Sequence, residues 1–411
     1  MRVLLINNQH YPKGGAHVVY FNTAELLKKN GHDVFFFSTK DDKTLPYEYS
    51  DYFPKSKDYR NLSIISKLKS IKSFIYNKEA YQKINEYIKV IKPDVAHVHL
   101  FMGGLTVSVL RALKENNIPI VHSVHDYRLI CPSYLFLNGN LEICEKCKKH
   151  KYYNCIINKC SEANFFQSVI LTIDSYFRFA FSNPKKYIDK YIAVSNFALN
   201  KHKEFQYDNE NKFKHIFNFV SEIETILPNE NKGDYMLFMG RLSREKGIST
   251  LLKSITELDV KLKIAGNGPL FDDLNNNSID NVEFLGFQSG DDLIKLIKKC
   301  SFVIVPSEWY ENNPMSIIES YAYGKPVIGA NIGGIPEIII ENKTGFLFKS
   351  GDEISLKKVI EKADEISIND YNLLSQNARD FAINNFSSST YYTKLIDLYN
   401  ELVSNNKINN I

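Results

Sequence analysis

Short apolar runs, each closed by a polar or glycine-bearing turn and followed by residues at helical spacing, recur along this chain. Arg2-Val3-Leu4-Leu5-Ile6-Asn7 is the first run; after Pro12-Lys13-Gly14-Gly15-Ala16, apolar Val18, Val19, Phe21, Ala24, Leu26 and Leu27 follow a helical pattern that stops at Asn30-Gly31. Asp33 to Ser38, Val95 to Val98, Ile118 to Val124 and Tyr187 to Val194 repeat the run, with helical patterns over 62–90 and around Leu105 to Lys114 between them. Tyr235 to Met239, Lys263 to Ala265, Phe302 to Val305 and Pro326 to Gly329 do the same in the second half. Unbroken apolar runs mark strands covered on both faces, as in parallel sheets, and parallel neighbours require right-handed crossovers. The expected fold class is α/β, with two doubly wound Rossmann-like domains that bind ligands beyond the carboxyl ends of their strands.

A chain of 411 residues is long for one core. The polar, aperiodic stretch Gln206 to Lys212 predicts a boundary there, giving domains at 1–205 and 206–385, and a final helix, Ser387 to Val403, within 386–411 that returns to the first domain. Met1-Arg2 precedes too few apolar residues for a signal-peptide core, so a cytoplasmic location is expected. The most apolar stretch, Phe165 to Phe181, is interrupted by Asp174 and Arg178, which argues against a membrane span. The formal net charge of +4 divides into +12 over residues 1–205 and −8 over the remainder. Ten cations fall between Lys55 and Lys92, among them Lys67, Lys69 and Lys72. No nucleic-acid motif accompanies them, so nucleic acid is not an expected partner, and an anionic membrane surface or a phosphorylated acceptor is.

Glu311-Asn312-Asn313-Pro314-Met315-Ser316-Ile317-Ile318-Glu319 stands between two strand-like runs. Pro314 suits the first position of a helix and Asn313 its N-cap, so the helix would open toward a phosphate. Eight helical residues rise about 12 Å, too far for the roughly 5 Å carboxylate pair of a retaining glycosidase. Glu311 and Glu319 are therefore read as accepting hydrogen bonds from different hydroxyls of one extended ligand, as a nucleotide-sugar would present. Arg241 and Lys246, after a strand ending in Gly240, suit a diphosphate. Gly266 closes a further strand, and His125 falls at a strand's carboxyl end.

These residues carry a resemblance. Glu311 and Glu319, with Pro306-Ser307-Glu308-Trp309-Tyr310 and Tyr323-Gly324-Lys325-Pro326-Val327-Ile328 around them, are similar to the Glu-x7-Glu signature of the family 4 retaining glycosyltransferases. The resemblance implies a GT-B arrangement of two domains across a cleft. The second domain would bind a nucleotide-diphosphate-sugar, and the basic first domain a glycan or lipid-linked acceptor. It implies that Glu311 contacts donor-sugar hydroxyls, Glu319 the ribose, Arg241 and Lys246 the diphosphate, and His125 the sugar beside the reacting carbon. Gly14, Gly15, Gly240, Gly266, Asn312, Asn313, Pro314 and Met315 complete the expected donor site, and no metal is expected in catalysis. A nucleotide-sugar epimerase and a non-catalytic sugar-binding protein are the competing readings. Five of six cysteines cluster at 131–160. The spacing of Cys144, Cys147, Cys155 and Cys160 leaves a structural zinc site, packed free thiols and a redox pair as alternatives. Phe219 stands where relatives usually carry glycine after the asparagine, here Asn218.

Overall fold

The computed structural model describes residues 1–56, 73–161, 164–221, 223, 232–277 and 279–409. The chain divides into two compact units: Met1–Val194 with Ala198–Ile216 and Tyr392–Ile411, and Ser195–Phe197 with Phe217–Tyr391.

The first unit is built on six parallel strands, β1 (Arg2–Gln9), β2 (Asp33–Thr39), β3 (Val95–Val98), β4 (Ile120–Val124), β5 (Lys190–Ala193) and β6 (Phe213–His215), in the order β2-β1-β3-β4-β5-β6. Val3, Leu4, Leu5 and Ile6 of β1 are fully buried, each worth about 1.5–3 kcal/mol of burial. The strand runs on through Asn7 and Asn8, whose side chains bond the backbone of Gln9 and Met102. Helix Gly15–Lys29 ends at Asn30 and Gly31 as its pattern predicts. Of the helical pattern at 62–90, the described part is helix Lys78–Ile91, and Lys67, Lys69 and Lys72 lie outside the described residues.

The second unit carries β7 (Met236–Met239), β8 (Leu262–Ala265), β9 (Val282–Gly286), β10 (Val303–Val305), β11 (Val327–Ala330) and β12 (Gly345–Phe348), also parallel, in the order β12-β11-β10-β7-β8-β9. Its core runs from Ile223 to Phe386 and includes Ile304, Ile317, Ile318, Tyr321 and Tyr371, all essentially without exposed surface. Phe219 fills the place of the missing glycine as a wedge: it is fully buried and stacks on Tyr391 at 4.2 Å between ring centres.

The chain leaves the first unit after Ile216, later than the stretch at 206–212, because Phe213–His215 completes the first sheet by pairing with β5. The last helix, Ser388–Asn409, belongs to the first unit from Tyr392 onward. Tyr392 shares a hydrogen bond with His32 (2.8 Å), Tyr399 shares one with buried His97 (2.6 Å), and Glu401 pairs with Lys190 (2.8 Å).

Candidate active site

From β7 the second sheet grows through β8 to β9, and then the chain returns to lay β10 on the other side of β7. That reversal is where a doubly wound sheet opens its ligand crevice. The loops leaving β7 and β10 meet there. Glu311, 6% exposed, gathers three donors on its Oε1: Lys246 Nζ at 2.6 Å, Ser307 Oγ at 2.8 Å and Trp309 Nε1 at 2.9 Å. Its Oε2 is not among these acceptors. Lys246 also lies over the Trp309 ring, 5.2 Å from its centre. Two residues expected to touch separate parts of a ligand are thus an ion pair, and Ser307 and Trp309, given no role by sequence reasoning, hold it.

Glycine makes this approach feasible. Gly247 has φ +69°, and a Cβ there would stand 1.8 Å from the carbonyl oxygen of Pro306. Gly333 underlies Glu311 in the same way, its Cβ position 2.4 Å from the Glu311 carbonyl. Gly247→Ala is expected to destabilise the protein by at least about 2 kcal/mol, from left-handed strain plus the clash, and to lower activity with it. Thermal unfolding and steady-state rates would check this; an unchanged melting temperature would contradict it.

Arg241 is exposed, and its side chain makes no hydrogen bond or ion pair among the described residues. Gly240 and Gly266 interlock beside it: a Cβ on Gly266 would meet the Gly240 carbonyl oxygen at 1.8 Å. The helix after Glu311 runs over Met315–Ala322, one residue later than expected, with Pro314 as its cap residue and no side-chain cap. Asn313 does not serve as N-cap, because its Oδ1 accepts from the backbone N–H of Asn218 (2.8 Å). Asn312 and Asn313 are both buried, and Met315 is half-buried. Glu319 lies on the helix's second turn, half-buried, and accepts no hydrogen bond among the described residues; burial pushes its carboxyl up to about 7.

In the first unit His125 follows β4 directly, and its Nε2 is 2.9 Å from Nδ1 of His99, which follows β3. Burial, and then the neighbouring His122 and His17, hold His125 down to about 3, and burial keeps His99 well below the ordinary histidine range. Both rings are neutral at pH 7, so one donates and the other accepts. His99 Nε2 is buried without a partner among the described residues. An orphaned N–H costs more than an orphaned lone pair, which places the His99 proton on Nδ1 and makes His125 Nε2 the acceptor. His125 then carries its proton on Nδ1. Sequence reasoning passed over His99, although its spacing from His97 was a usable signal. Gly14 precedes helix Gly15–Lys29 with no side-chain cap, and a Cβ on it would meet nothing within 4 Å.

The cysteines are free. Among the described residues no group of three or more His, Cys, Asp or Glu side chains is arranged to hold a metal ion. Cys147 and Cys155 are buried and Cys144 and Cys160 half-buried, with a hydrogen bond from the Cys160 thiol lowering the pKa of Cys155.

Two family models cover almost the whole chain. One, described as "Glycosyl transferases group 1", matches residues 220–381 and so takes in the Lys246–Glu311 loops. The other, "Glycosyltransferase Family 4", matches residues 13–222, half of the chain. The chain belongs to glycosyltransferase family 4. Other members are similar along most of their length. An uncharacterized glycosyltransferase of Methanocaldococcus jannaschii is 28% identical over 78% of this chain and 87% of its own. A capsular polysaccharide biosynthesis glycosyltransferase of Staphylococcus aureus is 25% identical over 92% of both. Among solved structures, Anabaena HepE in complex with UDP-glucose superposes with a TM-score of 0.67 at 17% identity, over 98% of this chain and 100% of that one. This family 4 glycosyltransferase therefore has the GT-B fold.

Proposed function

We propose that this glycosyltransferase moves a sugar, with retention at the anomeric carbon, from a nucleotide-diphosphate-sugar to a glycan or lipid-linked acceptor in cell-surface polysaccharide synthesis. The observation that carries this is the Lys246–Glu311 pair at the reversal of the second sheet, with Arg241, whose side chain has no partner among the described residues, on the same loop after β7. Oε1 of Glu311 is held by three donors, which leaves Oε2 to accept from sugar hydroxyls and suits the carboxylate to positioning more than to nucleophilic attack. Arg241, Lys246 and the uncapped start of helix Met315–Ala322 would stabilise the departing diphosphate, whose charge grows as the glycosidic bond breaks. The chain's own cations supply that charge, so the transfer is proposed to need no metal. The structure of Anabaena HepE with UDP-glucose and the capsular S. aureus relative favour this donor and acceptor chemistry. A panel of nucleotide-sugars, assayed for nucleoside diphosphate release with and without glycan acceptors, tests the reading. Acceptor-independent isomerisation of a donor would replace it with an epimerase.

His125 would donate from Nδ1 to the transferred sugar, in the tautomer set by His99. His99→Phe keeps the ring but removes the donor, and is expected to lower kcat about tenfold with little change in donor KM, whereas His99→Asn, which keeps an N–H near the Nδ1 position, restores much of the rate. Equal losses in both variants would leave His99 a packing role only.

Attachment to an anionic membrane surface is part of the same proposal. Each cation near such a surface contributes about 1 kcal/mol. Charge reversal of Lys67, Lys69 and Lys72 to glutamate is expected to weaken cosedimentation with anionic vesicles while leaving nucleotide release in solution intact. Binding indifferent to that reversal and to salt would remove these lysines from the contact.

A further inference from the structure

Helix Phe165–Ala180 in the first unit has its polarity turned outward-in. The side facing the protein carries Ser168, Thr172, Asp174, Ser175 and Arg178, all buried. Arg178 pairs with Asp174 at 2.8 Å and donates to the backbone oxygen of Arg128, and Thr172 donates to the backbone oxygen of Ser168. The charges that interrupt the most apolar stretch of the sequence thus point inward and fasten the helix to its domain. The other side is apolar. At 100° per residue, Phe165, Tyr176, Val169, Ile173, Phe166 and Phe177 fall on one continuous arc without a charge, Phe165 being 57% exposed and Ile173 and Tyr176 exposed too. Phe181, just past the helix, is 72% exposed, and Ile157 on the adjoining short helix is 69% exposed.

Cations border this face. His150 stacks on Phe179 at 3.9 Å, and its sequence neighbours Lys149 and Lys151 are exposed. Lys185 lies close enough to lower the His150 pKa, and Lys186 beside it is exposed. Among the described residues none of these four lysines is ion-paired. Monomeric soluble proteins rarely show so continuous an apolar face, and a rim of unpaired cations on an apolar helix matches an anionic interface more than a protein groove. No described helix is long and apolar enough to cross a membrane, so a helix of this kind lies along the surface.

We infer that helix Phe165–Ala180 is an interfacial docking element: its outward apolar face enters the headgroup region of an anionic lipid bilayer while Lys149, Lys151, Lys185 and Lys186 meet the lipid phosphates. This rests on the membrane reading above but assigns the contact to different residues. Such docking would hold the first unit against the surface on which a lipid-linked acceptor is anchored.

The test is flotation with vesicles of phosphatidylcholine alone and of phosphatidylcholine with phosphatidylglycerol. A Phe165→Ser, Ile173→Ser, Phe181→Ser variant changes only exposed positions and is expected to keep the wild-type melting temperature and nucleotide release in solution, while its partition onto anionic vesicles falls at least tenfold. Lys149→Glu, Lys151→Glu, Lys186→Glu is expected to weaken binding at low salt and to make the remainder insensitive to salt. Wild-type protein that ignores anionic vesicles would overturn the membrane reading as a whole. Wild-type binding that the serine variant retains would overturn the assignment to this helix alone. A dimer in light scattering that the serine substitutions dissolve would assign the face to a second copy of the chain and overturn the lipid.

Discussion

Glu311→Ala is expected to lower kcat by at least about a hundredfold, the scale of losing one preorganised charged contact in an active site. The substitution removes more than a carboxylate. Lys246, Ser307 and Trp309 all converge on its Oε1, so alanine leaves three donors without their acceptor and frees the lysine to swing away from the position it holds over Trp309. Glu311→Gln keeps an oxygen for Ser307 and Trp309 but no charge for Lys246, and should fall between wild type and alanine. Lys246 retains partial access to solvent, so the unpaired cation can rehydrate and the fold should persist. Arg241→Ala should lose a comparable factor for a different reason, the removal of a cation that has no competing partner among the described residues and is therefore ready for a diphosphate. Steady-state nucleotide release with a verified donor, alongside circular dichroism, checks both. Near wild-type rates in the two variants would show that these loops do not form the donor site.

The relation between those residues shows what could and could not be read from sequence. Each loop was legible by itself, because Gly240 and Pro306 end apolar runs and the cations and carboxylates follow at once. The ion pair was not, since Lys246 and Glu311 are 65 residues apart and only the sheet order, with β10 returning beside β7, brings them together. No local pattern encodes that return. β9 and β12 went unread for a simpler reason. β9 is an edge strand in which only Val282 is buried, and its Val-Glu-Phe-Leu-Gly lacks the unbroken apolar run of its neighbours. β12 opens on Gly345, which reads as a turn. Asn313 was assigned to the helix cap by residue type, but a distant backbone N–H, that of Asn218, competes for the same side-chain oxygen and holds it. Helix Phe165–Ala180 was legible only in part: Asp174 and Arg178 read as interruptions that argue against a membrane span, but that they form the helix's inward anchor depends on what packs against it.

Nucleotide-sugar affinity is expected to fall roughly a hundredfold between pH 8 and pH 5, through Glu319. Its carboxyl is pushed up to about 7 by burial, against about 4.3 for an unperturbed glutamate. A raised carboxyl pKa means that the folded, ligand-free protein holds the proton more tightly than the unfolded chain does. Ionisation of Glu319 therefore costs stability progressively as pH rises from about 4.3 through 7, and Glu319→Gln should be the more stable protein at pH 8, by up to about 3 kcal/mol. Binding has the opposite sign. Ribose hydroxyls donate to a carboxylate and compensate its burial, so a ligand selects the ionised form, and below pH 7 each unit of pH leaves about tenfold less of that form to bind. The diphosphate of a nucleotide-sugar is esterified at both ends and does not titrate in this range, so the slope belongs to the protein. Calorimetric titration of wild type and Glu319→Gln from pH 5 to 8 separates the cases. The glutamine variant should bind more weakly at pH 8 and show almost no slope; an equal slope in both proteins would place the titrating group elsewhere and detach Glu319 from the ribose.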